Sequence, residues 1–188
     1  MRVLFVCGGT AGHINPALSV AGELKRRCPE AKILFAGNPD GMEARLIPRA
    51  GYDFAPIRVR GFQRSLSPKN LARNLEAGWL LAKSGPAARK ILRDFSPDVV
   101  MGTGGYVSGP VVRMAHKMGI RTATHEQNAF PGVTTKLLSA YVDKVFLAME
   151  GARRRLRGDR EYIVTGNPVR REILLADRAA ARQKLGVG

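Results

Sequence analysis

The 188-residue chain is poor in cysteine and aromatic residues, and it carries about half as many acidic side chains as basic ones. Its two cysteines, Cys7 and Cys28, form no C-x-x-C pair and fall on separate expected elements. That excludes a disulfide scaffold, and both are read as reduced packing thiols. No set of Cys, His, Asp and Glu has the spacing of metal ligands, so neither a metal nor another cofactor is expected. No apolar run reaches the length of a membrane-spanning helix. The apolar N-terminal stretch is too short for a signal-peptide core and runs directly into glycines. Any meeting with a membrane is therefore expected at its surface. Repeats and low-complexity tracts are also missing.

What is present is an ordinary globular composition, 45% hydrophobic and 24% charged, with a net charge of +16. The length fits one domain with a sizeable core. The charge points to an anionic partner: nucleic acid, an anionic membrane surface or a phosphorylated ligand. Aromatics at 6% and the lack of a recognised module disfavour nucleic acid, and none is expected as a partner.

The strongest local signal is Gly8-Gly9-Thr10-Ala11-Gly12-His13, placed directly after the apolar run Val3–Cys7. An apolar strand that ends in glycines and reopens as a helix is the first βα turn of a doubly wound α/β domain. Its backbone N–H groups and helix N-terminus suit an anion. Asn15 is read as the N-cap, with Pro16 just inside the helix start. The spacing G-G-x-x-G is not the dinucleotide fingerprint G-x-G-x-x-G. A tight turn needs glycine but has no need of the imidazole of His13, which makes this histidine a candidate for chemistry.

Apolar strand candidates near 2–7, 32–37, 53–59, 97–102, 120–125, 142–148 and 161–165 alternate with helices. The helices fit near 15–27, 41–49, 68–83, 86–94, 107–118, 132–140, 150–157 and 178–185. This alternation predicts an α/β fold, a doubly wound, Rossmann-like parallel sheet with helices on both faces. Gly61–Pro68 is read as a mobile loop.

Three further polar, glycine-bearing loops follow strands: Gly102–Pro110, His125–Lys136 and Thr165–Arg170. Loops at the carboxyl ends of parallel strands share one edge, where ligands bind. Together they indicate a site for phosphate and sugar-like groups. His125 and Glu126 are candidates for a base and its orienting carboxylate, although neighbouring strand residues face opposite ways. Holding the loop through backbone hydrogen bonds is an equal reading for Glu126, and Asn128 is read as either a turn cap or a ligand contact. His116, beside Lys117 on a helix, reads as surface.

On the segment 68–83, Leu71, Leu75, Gly78, Trp79 and Ala82 share a helical face, which is read as core packing. Leu80 points away among basic residues. A helix apolar on two sides suits contact with core and lipid headgroups together, with Trp79 and Leu80 inserting. On this reading Leu80→Glu weakens vesicle binding more than stability, and Leu75→Glu does the reverse. The basic run Arg153–Arg157 is most simply a solvated face that also adds attraction to an anionic surface.

GGTAGH, GGYVSGP, HEQN, PGVTTK and TGNPVR occur in that order across nearly the whole chain. In this the chain resembles the N-terminal half of the MurG family of peptidoglycan glycosyltransferases. It departs from the family's GGTGGH by Ala11 and from its PGxTNK by Thr135. The resemblance implies the GT-B fold, two Rossmann-like domains facing a cleft, of which residues 1–170 are the acceptor-binding domain and 171–188 a linker. It implies an inverting transfer of N-acetylglucosamine from UDP-GlcNAc to the muramyl 4-hydroxyl of lipid I, giving lipid II. The place is the cytoplasmic face of the bacterial membrane, and no metal takes part.

By matching position, the resemblance assigns Thr10, Ala11, Gly12, Asn128 and Arg170 to the donor. It assigns His13, Gly104, Gly105 and Tyr106 to the acceptor, with His125 and Glu126 in the same cleft; His13 is read as the general base that the acceptor hydroxyl needs, with His125 or Glu126 as the alternative. It also implies that this half alone transfers no sugar. The alternative is a non-catalytic, membrane-recruiting subunit that binds the lipid acceptor and is completed by a separate donor-binding chain.

Overall fold

A computed structural model of the protein describes residues 1–61, 68–158 and 160–187. Seven parallel strands form one sheet: β1 (Arg2–Cys7), β2 (Lys32–Gly37), β3 (Asp53–Pro56), β4 (Val99–Gly104), β5 (Arg121–Glu126), β6 (Lys144–Leu147) and β7 (Glu161–Val164). Their order across the sheet is β3-β2-β1-β4-β5-β6-β7. The chain winds outward from β1 in one direction and from β4 in the other. The two halves therefore diverge between β1 and β4, opening a crevice at the carboxyl ends of these strands.

Side-chain alternation along the strands supplies two cores. On one face Val3, Phe5, Cys7, Ile33 and Phe35 pack under α1 (Ala11–Arg27) and α2 (Glu43–Arg49). Register places Phe5 beside Phe35, with ring centroids 5.2 Å apart. Each such buried ring contributes about 1.5–3 kcal/mol. On the other face Leu4, Val6, Val100, Val145 and Leu147 meet α3 (Pro68–Phe95), α4 (Ser108–Lys117) and α5 (Val133–Leu138). A 3-10 helix (Glu150–Arg155), α6 (Arg171–Leu174) and α7 (Arg178–Leu185) complete the chain.

Several boundaries differ from the sequence reading. α1 starts at Ala11, not near Asn15, because the reversal is complete once Gly9 takes φ +84° and Thr10 returns to extended backbone. Pro16 thus sits in the second turn and withholds an N–H from the Gly12 carbonyl, while the Asn15 carbonyl accepts the Ser19 hydroxyl at 2.8 Å. Ala11, at the first helical position, needs no positive φ, so alanine stands there without strain. The expected pair of helices at 68–83 and 86–94 is one continuous helix, α3, running through Pro86. The lost bond to the Ala82 carbonyl is outweighed by the face that α3 buries. Most of the Gly61–Pro68 stretch lies outside the described residues.

That buried face corrects the reading of α3. Ala77, Ser84, Ala88 and Leu92 are its inner residues. They recur at the helical period and are mostly small, which lets α3 sit close against its neighbours. Leu71, Leu75 and Trp79 lie on the opposite side and are 60%, 71% and 57% exposed. The stripe expected in the core is therefore the outer stripe, and Leu80, expected to point away, is half-buried. The ammonium of Lys83 lies 3.8 Å from the centre of the Trp79 ring. Among the described residues no helix is long and apolar enough to cross a membrane. Cys7 is a packing thiol whose ionisation burial pushes far up, with the nearby charge of Glu43 adding to it. Cys28, expected to pack as well, is exposed at the C-terminal end of α1.

Candidate functional site

The loops after β1 and β4 meet at the crevice through glycines that admit no side chain, and the loop after β5 joins them through Gln127. A Cβ on Gly105 would collide with the backbone of Gly8, so these two loops touch main chain to main chain. A Cβ on Gly104, where φ is +114°, would collide with the imidazole of His13. The His13 ring therefore rests directly on the second glycine loop. Tyr106 follows, 60% exposed, with its ring against the backbone of Gly61.

Hydrogen bonds then hold His13 in place. Its Nδ1 lies 3.1 Å from the Thr103 carbonyl oxygen and 3.2 Å from Gln127 Oε1. The Thr103 hydroxyl donates to the His13 carbonyl at 2.7 Å. Gln127 Nε2 donates to the same Thr103 carbonyl at 2.8 Å and lies 3.1 Å from His125 Nδ1. His125 Nε2 is 3.1 Å from the carbonyl oxygen of Gly166, in the loop after β7. His125 is buried, and that desolvation lowers its proton affinity despite the opposing pull of Gly166 and Glu126. The path from His13 through Gln127 to His125 and Gly166 thus spans three of the loops.

Glu126 is buried and organises its own loop. One carboxylate oxygen accepts the backbone N–H and the side-chain amide of Asn128 at 3.0 and 2.9 Å, and the other accepts the Gly132 N–H at 3.1 Å. Of the two readings given to Glu126, the loop-holding one describes these contacts. Asn128 is exposed at the rim, tied to Glu126.

Glu43 was not expected in the site. It is buried beneath the first glycine loop, accepting the Gly9 N–H at 3.2 Å and the Asn38 N–H at 3.0 Å. A Cβ on Gly8 would strike this carboxylate, which explains glycine there. The Gly9 N–H thus points inward to an acid. The outward-facing donors of the first loop are those of the first turn of α1, at Ala11 and Gly12. Thr103 and Gln127 were also missed. A short polar side chain ending a strand, and an amide inside HEQN, are the available signals for them.

Thr10, Ala11, Gly12, His13, Gly104, Gly105, Tyr106, His125, Glu126 and Asn128 thus share one edge. Arg170 stands apart: it heads α6 and lines a cavity of about 820 Å³ with Leu18, Glu23, Arg26 and Tyr52. Trp79 and Leu80 belong to α3, outside the crevice cluster.

Among known proteins, the chain is 48% identical over 187 residues to a protein of Acetivibrio thermocellus, covering 100% of the chain and 50% of the relative. It is 44% identical to one of Alkaliphilus metalliredigens over 188 residues, again covering 100% of the chain and 50% of the relative. Both relatives are named UDP-N-acetylglucosamine--N-acetylmuramyl-(pentapeptide) pyrophosphoryl-undecaprenol N-acetylglucosamine transferase. The chain spans about half the length of these curated relatives. The crystal structure of Acinetobacter baumannii MurG superposes with a TM-score of 0.73 at 30% identity, covering 88% of this chain and 46% of that one. A UDP-GlcNAc 2-epimerase from Neisseria meningitidis shares the fold, with a TM-score of 0.61 at 18% identity over 89% of this chain and 47% of that one. The model of the glycosyltransferase family 28 N-terminal domain matches residues 3–147. With the crevice, its glycine loops and this match in agreement, the chain belongs to the glycosyltransferase family 28 N-terminal domains.

Proposed function

We propose that this chain is the acceptor-binding half of an inverting N-acetylglucosaminyltransferase that converts lipid I to lipid II with UDP-GlcNAc. The observation that carries the reading is the seating of His13 at the β1–β4 crevice, between two glycine loops, in a chain 44–48% identical to transferases of that name.

In the reaction, the muramyl 4-hydroxyl oxygen forms a bond to C1 of N-acetylglucosamine on the face opposite the departing UDP. The C1–oxygen bond to the β-phosphate breaks, and its electron pair leaves with UDP. The hydroxyl proton passes to His13, which acts as the general base. The lipid pyrophosphate suits the first-turn amides of α1, where the helix dipole favours an anion. Tyr106 and the Gly104-Gly105 turn border the acceptor sugar. Thr10 and Asn128 are proposed to face the donor, most of whose contacts belong to a second domain, while Arg170, lining the separate cavity, is not grouped with them.

The chain docks on the cytoplasmic membrane surface from the side. Its +16 charge draws it to anionic lipid, and Leu71, Leu75 and Trp79, exposed on α3, insert shallowly. Titrating the 15N-labelled chain with a short-tailed muramyl pyrophosphate lipid tests the site. Amide shifts are expected at Ala11, Gly12, Gly105 and Tyr106. Saturable binding that leaves these four signals in place would refute it.

A further inference from the structure

We propose that Gln127 is a positioning residue that imposes opposite tautomers on His13 and His125, leaving His13 Nε2 as the proton-accepting atom. The proposal deepens the general-base reading of His13 and rests on it for its catalytic meaning.

Two backbone carbonyls, which can only accept, fix where the ring hydrogens sit. His13 Nδ1 lies 3.1 Å from the Thr103 carbonyl, so this nitrogen carries the hydrogen. His125 Nε2 lies 3.1 Å from the Gly166 carbonyl, so here the hydrogen sits on the other nitrogen type. Buried and disfavoured as a cation, His125 then presents a bare Nδ1 that needs a donor. Gln127 Nε2, 3.1 Å away, is that donor. The orientation of the Gln127 amide is not free either. Its nitrogen also meets the Thr103 carbonyl at 2.8 Å, where an amide oxygen would be repelled. Its oxygen is thereby turned to His13 Nδ1 at 3.2 Å, as a second acceptor for the same hydrogen.

Gln127 Nε2 also lies 3.2 Å from the His125 carbonyl, so the amide hydrogen not given to Thr103 is shared between that carbonyl and His125 Nδ1. His125 has both ring nitrogens engaged inside the protein and is not the base. His13 has its Nδ1 engaged and its Nε2 lone pair uncommitted by these bonds. Free imidazole side chains favour the hydrogen on Nε2, the tautomer that accepts nothing at that atom. The Thr103 carbonyl and Gln127 together reverse that preference, as second-layer partners do for functional histidines elsewhere.

Histidine ring spectra test this on the chain itself. The chain has three histidines, and His116→Gln and His125→Gln variants assign the ring signals. Two-bond 1H–15N correlations at neutral pH are expected to show His13 protonated at Nδ1 and His125 protonated at Nε2. Gln127→Glu sets a carboxylate oxygen against His125 Nδ1, and His125 should then appear doubly protonated, with Glu126 adding to the attraction. Gln127→Leu should leave His125 neutral and move part of the His13 population to the Nε2–H form. A wild-type spectrum with His13 on Nε2–H overturns the proposal without any variant. So does a Gln127→Leu protein, folded by its amide spectrum, whose His13 tautomer is unchanged. These spectra do not depend on sugar transfer. Full turnover by a His13→Ala enzyme would refute the base assignment and leave the tautomers standing.

Discussion

Replacing Leu75 by Glu separates the two roles that α3 plays. The Leu75 side chain is 71% exposed, so folding withdraws less than a third of it from water. Fully burying a leucine contributes about 1.5–3 kcal/mol, which puts the folding loss here below about 1 kcal/mol. Insertion into the headgroup boundary withdraws the exposed remainder, worth about 1–2 kcal/mol. Losing it weakens membrane binding by about five- to thirtyfold, and a new negative charge near anionic lipid adds to that. Sedimentation with anionic vesicles reads the binding, and a thermal melt reads the fold. Ala88→Glu is the counterpart: Ala88 is fully buried, so an unpaired carboxylate there costs several kcal/mol and the melt collapses. Wild-type binding should be weaker to neutral vesicles and partly lost in high salt, where screening removes the charge contribution and spares the apolar one. A Leu75→Glu protein that sediments like wild type, or that melts like the Ala88→Glu protein, would refute the outward placement of this stripe.

Other outcomes follow from the same structure. Gly104→Ala places a methyl against His13 at φ +114° and should cost about 1–3 kcal/mol in a denaturant titration, besides displacing the His13 ring signals. His125 binds its proton less readily folded than unfolded, so the unfolded chain takes up the proton first as pH falls. Stability contributed by neutral His125 is therefore complete above about pH 6.5 and declines as pH drops below it, read as a falling melting temperature. Phe35→Ala removes a ring that stacks on Phe5 in the core and should destabilise the fold by about 3–5 kcal/mol in the same titration.

Most of the strands were legible because they are short apolar runs closed by glycine or a polar loop, and the topology of parallel sheets gathers such loops on one edge. His13, Tyr106 and the glycines were legible for the same reason. The start of α1 was not, since Asn15-Pro16 carries a helix-start signal while Gly8-Gly9 had already turned the chain. The inner face of α3 was misread because large apolar residues attract attention. Close packing against a neighbouring helix is served by Ala77, Ser84 and Ala88, and the leucines opposite them were left to solvent. Glu43 was hidden by its position, since an acid in the first turn of a helix ordinarily faces water and the helix dipole. Only the sheet order, with β2 beside β1, brings it beneath Gly8 and Gly9. Gln127 was hidden by its neighbours, whose titratable groups drew the chemical reading.

The central claim is that His13 takes the proton from the sugar that attacks. Its most direct test is turnover at saturating UDP-GlcNAc and lipid I, in a protein of its relatives' full length that carries these residues, compared with its His13→Ala variant. Loss of a positioned general base lowers turnover by about a hundredfold or more, and that loss is the result expected, with binding of both substrates largely kept. Turnover within a few-fold of the unaltered enzyme would contradict the account and remove His13 from the chemistry.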